Sequence, residues 1–413
     1  GVLFASGGRD AAPPTSVGRL RAMLREQGVV TVALAPLTLL LFGQASVVGL
    51  LANLLAIPWV TLVVTPLALG GALFAPLWTL GAWAVQALTW LLSFLAAWPG
   101  AVFAAPAAPA WIAGAGVLGG VLLVLRLPPA LRLAGLPLVA PMLLWQPPRP
   151  PEGQFELLAA DVGQGNAVIV RTANHALLYD AGPRYGLDSD AGHRVLAPLL
   201  AATGERLDRI VISHRDSDHS GGAASVLAQQ PQAELVSSLE DGHALWRGGA
   251  PVRCLAGQRW RWDGVDFEFL HPQAPDYAQA GAKPNALSCV LRVSQGAATA
   301  LLAGDIEAPQ ELRLVAAHAP ELRADLLLAP HHGSKTSSTA AFLAAVRPRI
   351  VLVQAGYRNR FGHPAAPVVA RYDALPAQVL VSPECGAATW RSADPRAVVC
   401  ERQASRHYWS HGS

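Results

Sequence analysis

Two kinds of hydrophobic pattern divide this chain. From Gln27 to Leu125 there is no charged residue, and apolar runs cover residues 29–41, 47–74, 77–97, 111–125 and 133–145. A bilayer core of about 30 Å takes roughly 20 helical residues. The second and third runs therefore span it alone, while the first, fourth and fifth need flanking residues or are partly re-entrant. Beyond residue 152 the runs shorten and glycine turns separate them. Strands are expected at 154–159, 168–171, 176–179, 208–213, 252–255, 265–270, 286–293, 297–302, 326–329 and 350–354, with helices at 195–202 and 223–229. Short strands alternating with helices predict a layered α/β or α+β domain.

Charge sharpens the division. Residues 1–150 hold seven arginines and two acids, a balance of +5, whereas the remainder holds 24 basic and 26 acidic residues, a balance of −2. The break falls at PPRPP, residues 147–151, which reads as a linker between a helical membrane domain (1–150) and a soluble domain (151–413). Seven of the twelve tryptophans lie in the first part, several at the ends of apolar runs, where an interfacial belt would place them. Arg19, Arg21 and Arg25 precede the first run, and Arg126 and Arg132 separate the fourth from the fifth. If all five runs cross, both clusters face the cytoplasm and residues 151–413 emerge outside. Residues 20–26 read as a short amphipathic helix in the interface. The chain starts at Gly1 with no initiator methionine, so it is expected to begin inside a longer protein. Cys254, Cys289, Cys385 and Cys400 allow three disulfide pairings or four buried thiols.

The chemistry gathers at strand ends. Asp180, His214, Asp305, His331 and Gly356 each follow a short hydrophobic run, so they should meet along one sheet edge. The densest stretch is HRDSDHSGG at 214–222, where His214, Asp216, Asp218 and His219 sit between a strand and a helix. Imidazole with carboxylate suits zinc, manganese or iron. Asp161, Gln164 and two glycines form a tight turn in DVGQGN (161–166), and Asp180 begins another. His271 closes a further strand, and Trp246, Trp260 and Trp262 read as packing in a small sheet.

HRDSDHSGG, the Gly304-Asp305 pair and PHHGS at 330–334 resemble the metallo-β-lactamase superfamily. DVGQG, GDIE, PHHGSKTSS and NRFGHP together resemble the extracytoplasmic domain of the ComEC family of competence proteins. Phe42-Gly43-Gln44, followed by ANLLAIP at 52–58, is similar to the end of that family's membrane domain. The resemblance covers residues 16–395 and implies an αββα sandwich after a transmembrane helical segment, in the bacterial cytoplasmic (inner) membrane. It also implies two divalent metal ions, manganese or zinc. His214 and Asp216 would hold the first, and Asp218 and His219 the second. Asp305 would bridge them, and His331 or His332 would complete the second site. Asp216 stands where the superfamily has His, Asn166 where the family turn has Asp, and the third-motif His has no counterpart, with Asn285 and His271 nearest its place.

The implied activity is metal-dependent hydrolysis of phosphodiesters in incoming DNA, with Asp218 and Asp305 as catalytic carboxylates. Ser334, Lys335, Ser337, Asn359, Arg360 and His363 are candidate phosphate ligands. Partners implied are DNA, the lipid bilayer, other parts of a DNA-uptake machinery and the preceding part of the same protein. The net negative soluble half confines any DNA path to a local groove. Two alternatives stand beside the nuclease: a DNA-guiding module without catalysis, and a membrane-attached metallohydrolase for another phosphate or ester.

Overall fold

The computed structural model describes residues 16–98, 100–246, 252–279, 281–296 and 298–405. They form two compact units. One runs to Pro147 and includes Ala201–Gly204; the other takes Pro148–Leu200 and the chain from Glu205.

In the first unit the apolar runs fold as helices Ser16–Phe42, Gly49–Gly70, Pro76–Ala96, Ala110–Val124 and Pro129–Leu143. The first three are long and apolar enough to cross a membrane, whereas the last two are shorter. Residues 20–26 are not a separate interfacial helix but early turns of Ser16–Phe42, because nothing between Arg25 and the apolar run breaks helical geometry. Pro58 lies inside the second helix, which continues through a π-turn at Val60–Val64. Trp59, Trp83 and Trp90 lie within helices, not at their ends. Glycines on Ala110–Val124 bring its neighbours close. A Cβ on Gly119 would stand 2.6 Å from the Gly135 carbonyl, and one on Gly120 would stand 2.8 Å from Pro36. Small residues pack membrane helices in this way.

The second unit is built on two mixed sheets. An eight-stranded sheet runs Val252–Arg253, Glu234–Ser237, Arg209–Ile212, Ala176–Tyr179, Val168–Arg171, Glu156–Ala159, Ala388–Arg391 and Asp394–Cys400. A seven-stranded sheet runs Arg259–Trp262, Val265–His271, Val290–Gln295, Ala298–Leu302, Leu326–Leu328, Ile350–Val353 and Gln378–Val381. Period-2 alternation sends Leu177, Tyr179 and Val211 into the layer between the sheets, where Phe267, Leu291 and Leu328 meet them. Leu178, Ile210 and Ile212 point the other way, onto Leu196, Leu200 and Val226 of the covering helices. Leu314, Phe342, Val346, Val368 and Tyr372 cover the second sheet likewise. The result is helix, sheet, sheet, helix. Residues 286 and 287, expected at the start of a strand, belong instead to a 3₁₀ turn, Pro284–Leu287, that opens on a proline, which cannot donate to a ladder.

Both disulfides form, Cys254–Cys289 and Cys385–Cys400, so the alternative of free thiols is set aside. The tryptophans pack as expected. Trp260 stacks on Phe267 with ring centroids 5.1 Å apart and carries the Arg209 guanidinium at 4.3 Å, and Trp262 stacks on His175 at 4.9 Å. Trp246 is buried and donates Nε1–H to the Glu240 carbonyl.

Candidate metal centre

The strand Arg209–Ile212 delivers Ser213 and His214, and a single helical turn, Ser217–Ser220, carries Asp218 and His219. Asp305 follows Ala298–Leu302, and His332 lies in the 3₁₀ turn Pro330–Gly333 after Leu326–Leu328. One ligand atom from each of Asp218, His219, Asp305 and His332 lies within 4.8 Å of the others. His219 Nε2 is 3.1 Å from Asp305 Oδ1, and His332 Nε2 is 3.2 Å from Asp218 Oδ2 and 3.7 Å from Asp305 Oδ2.

Each histidine ring is held from behind. His219 Nδ1 donates to Asp180 Oδ2 at 2.7 Å, and His332 Nδ1 donates to the Gln354 carbonyl at 2.8 Å. His214 Nδ1 lies 3.0 Å from Ser213 Oγ, which itself donates to Asp180. Protons on Nδ1 leave the Nε2 lone pairs facing the cluster, the tautomer of a metal ligand. The Nε2 atoms of all three rings, with Asp305 Oδ1, are buried without a hydrogen-bond partner. Such orphans are costly, and a divalent cation would satisfy them together. The donor set therefore suits a metal.

The carboxylates and imidazoles of the cluster also face one another as ion-pair partners. Burial alone would raise the Asp305 carboxyl, but the charges of His219 and His332 hold it well below the ordinary range. Burial would lower His219, yet flanking Asp305 and Asp180 push it well above its usual value. Asp218 is likewise held low, by the hydrogen bond from His332 and the charge of His219, against a burial effect that raises it.

His214 and Asp216 form a second, thinner grouping. His214 Nε2 lies 3.6 Å from Asp216 Oδ2, and Asp216 is half-exposed. Asn285 reaches His331, with Nδ2 3.4 Å from Nε2. His271 turns away instead, donating to the Ser288 carbonyl and facing Asp276 and Arg313. It has no place in the cluster, because its strand ends toward a different loop. Of the adjacent pair, His332 enters the cluster, while His331 is part-exposed between Asp305 and Glu307.

Several candidate phosphate ligands have other tasks. Ser337 is buried and donates to the carbonyls of Pro330 and Ser334, so it shapes the loop. The Asn359 amide donates to the Gly356 and His363 carbonyls and accepts from His363 N–H, closing its own turn. Ser334 is buried, with Oγ 3.1 Å from Thr336 Oγ1. His363 packs beside His331 and His332, where burial lowers its pKa. Lys335 and Arg360 are exposed, and Arg360 lies over Phe361.

The DVGQGN turn supports the centre from behind. Asn166 N–H donates to the Asp218 carbonyl, and Gln164 accepts from Gly356 N–H. Asp161 is paired with Arg402. Gly165 has φ +140°, and a Cβ there would stand 2.2 Å from the Asp218 carbonyl. Asp180 was expected at a strand end on the common sheet edge, beginning a turn. It is fully buried, with φ 58°, and orients both Ser213 and His219. Its position after a buried strand was the available signal. Gln354, Ser288 and Glu311 gave none. Glu311 accepts from the Ser338 and Thr339 N–H groups and so fixes the loop after His332.

Residues 160–356 match the metallo-β-lactamase superfamily, and residues 3–131 match the competence protein family. The chain thus joins a competence-protein domain to a metallo-β-lactamase domain. It is 37% identical to competence protein ComA of Neisseria gonorrhoeae over 357 residues, 85% of this chain and 49% of that protein. It is 31% identical to the uncharacterized protein YcaI of Escherichia coli over 401 residues, 92% of this chain and 50% of that one. The chain spans about half the length of these curated relatives. The crystal structure of YhfI, a metallo-β-lactamase fold protein from Bacillus subtilis, aligns over 58% of this chain and 99% of its own, at 14% identity and TM-score 0.39.

Proposed function

We propose that this chain is part of a DNA-uptake channel in the bacterial inner membrane. Its metal-bearing domain, residues 151–413, lies on the extracytoplasmic side and hydrolyses phosphodiesters of incoming DNA, so that a single strand passes the helices. The observation that carries this reading is the buried, mutually facing set Asp218, His219, Asp305 and His332 in a chain similar to a competence protein. A divalent ion held there supplies Lewis acidity toward a phosphoryl oxygen and makes water a stronger acid at neutral pH. Asp218 is the most exposed of the four, which places its carboxylate to take a proton from an attacking water. Asp180 keeps the proton on His219 Nδ1. Lys335, in the loop of His331 and His332, and Arg360, four residues after Gly356, are both exposed and would neutralise flanking phosphates. Tyr357 and Phe361 stand exposed with Arg358 and Arg360 over their rings, a surface suited to stacked bases of a single strand. Manganese or zinc fits the mixed imidazole and carboxylate donors, and a second ion would rest on His214, Asp216 and shared Asp305.

The sparse donors around His214 favour one competing reading, a guiding module that holds DNA without cutting it. Lys335→Ala and Arg360→Ala should each weaken DNA binding and lower the slope of log affinity against log salt by up to about one. Unchanged titrations in both variants would remove these residues from the DNA path.

Two buried disulfides fit an oxidising compartment and so support the outside placement. Reporter fusions after Pro151 should be active only outside the cytoplasm. Cytoplasmic activity would reverse the topology.

A further inference from the structure

Beside the metal centre lies a cavity of about 290 Å³ that the hydrolytic chemistry leaves unexplained. His214 lines it, so its inner end adjoins the cluster. Its walls are mainly carbon, from Leu239, Leu287 and the Tyr277 ring. Its size falls at the lower end of ligand pockets, about 300–1,000 Å³, which suits one nucleoside.

The charged groups around it cancel. Arg215 and Arg253 face Glu240 and Asp241, and Arg253 is already paired with Asp241 at 2.6 Å. The cavity is therefore no anion trap. An uncharged, mostly apolar chamber with donors and acceptors at its edges fits a neutral heterocycle, its faces on carbon and its polar rim on Glu240 and Arg215.

The wall is also braced in advance. The Cys254–Cys289 disulfide joins the residue after Arg253 to the start of the strand behind Leu287. Tyr277 donates its hydroxyl to the Cys254 carbonyl at 2.8 Å, and Arg253 lies over the Tyr277 ring at 4.5 Å. A pocket fixed by covalent and hydrogen bonds loses little freedom when filled.

We propose that this cavity seats one nucleobase of the substrate strand, next to the phosphate presented to the metal centre. The proposal rests on the phosphodiesterase reading of that centre. It adds that the chain holds its substrate by a base as well as by phosphates, so that abasic positions should be poor neighbours of the cleaved bond.

Thymidine 5′-monophosphate and 2-deoxyribose 5-phosphate separate the base from the rest of the nucleotide. Titrated into the full metal-loaded chain in detergent, the nucleotide should bind about tenfold or more tightly than the base-free sugar phosphate. Ala282→Trp, on the part-exposed lining of the cavity, should erase that difference with metal content unchanged, and Ala282→Leu should reduce it. Equal affinity for the two probes in the wild type, or a difference that survives Ala282→Trp, would overturn the proposal. Base-dependent binding by a chain that cuts no DNA would keep the pocket and remove the nuclease. Cleavage that ignores an abasic site at every position beside the cut would do the reverse.

Discussion

Asp305→Ala should strip the centre of its metal. Asp305 has the central position, 3.1 Å from His219 Nε2 and within 3.7 Å of the Nε2 atoms of His331 and His332. Without it, His219 Nε2 loses its nearest carboxylate and keeps only Asp218 at 4.0 Å, while His332 keeps Asp218 at 3.2 Å; breaking a buried ion pair costs roughly 3–5 kcal/mol. Asp180→Asn gives a graded comparison. It keeps the shape but weakens the acceptor behind His219, and losses of this kind cost about 10–100-fold in metal affinity. Elemental analysis after gel filtration should rank the wild type above Asp180→Asn and Asp305→Ala lowest, with His219→Ala close to it. Unchanged stoichiometry in Asp305→Ala and His219→Ala would disprove the site. Loading should also be pH-dependent. His219 is raised by Asp305 and Asp180, so in the metal-free protein an ion competes with its proton. Affinity should therefore fall as pH decreases, and binding should release protons into a weakly buffered solution.

Gly165→Ala should damage the domain from a distance. Its φ of +140° is strained for any other residue, and the new Cβ would meet the Asp218 carbonyl at 2.2 Å. Backbone strain of this kind costs about 1–3 kcal/mol, and overpacking typically adds about as much again. The relief available is to move Asp218, which the Asn166 N–H holds in place. Thermal unfolding should shift down and metal affinity should fall together. An alanine variant that keeps both would show that the DVGQGN turn does not set the position of Asp218.

Strand ends were legible in the sequence because buried strands are short apolar runs, and a polar residue closing one is conspicuous. The runs before His214, Asp305 and His331 fold as expected, and Asp305 and His332 do converge with Asp218 and His219. The strands Arg259–Trp262, Gln378–Val381 and Asp394–Cys400 were harder. All three lie at sheet edges; Arg259–Trp262 alternates exposed arginines with tryptophans, and the other two carry only the short apolar stretches VLV and AVVC. Disulfide pairing depends on which strand ends meet, between the two sheets for Cys254–Cys289 and within one strand pair for Cys385–Cys400, and spacing does not encode that. Ser337 and Asn359 misled for a related reason. Small polar side chains in loops often bond to their own backbone, and here that use competes with ligand binding. His271 shows that a strand end fixes a residue's height on the sheet but not the direction of its ring.

DNA cleavage by the purified chain tests the hydrolytic reading most directly. Single- and double-stranded DNA would be incubated with protein carrying manganese, zinc or magnesium, with metal content and DNA binding measured on the same samples. Cleavage should appear with at least one metal, and Asp218→Asn should reduce it by about 100-fold or more while DNA binding persists. A wild-type chain that is metal-loaded and binds DNA, yet cuts neither substrate with any of the three ions, would contradict the nuclease and leave the guiding module in its place.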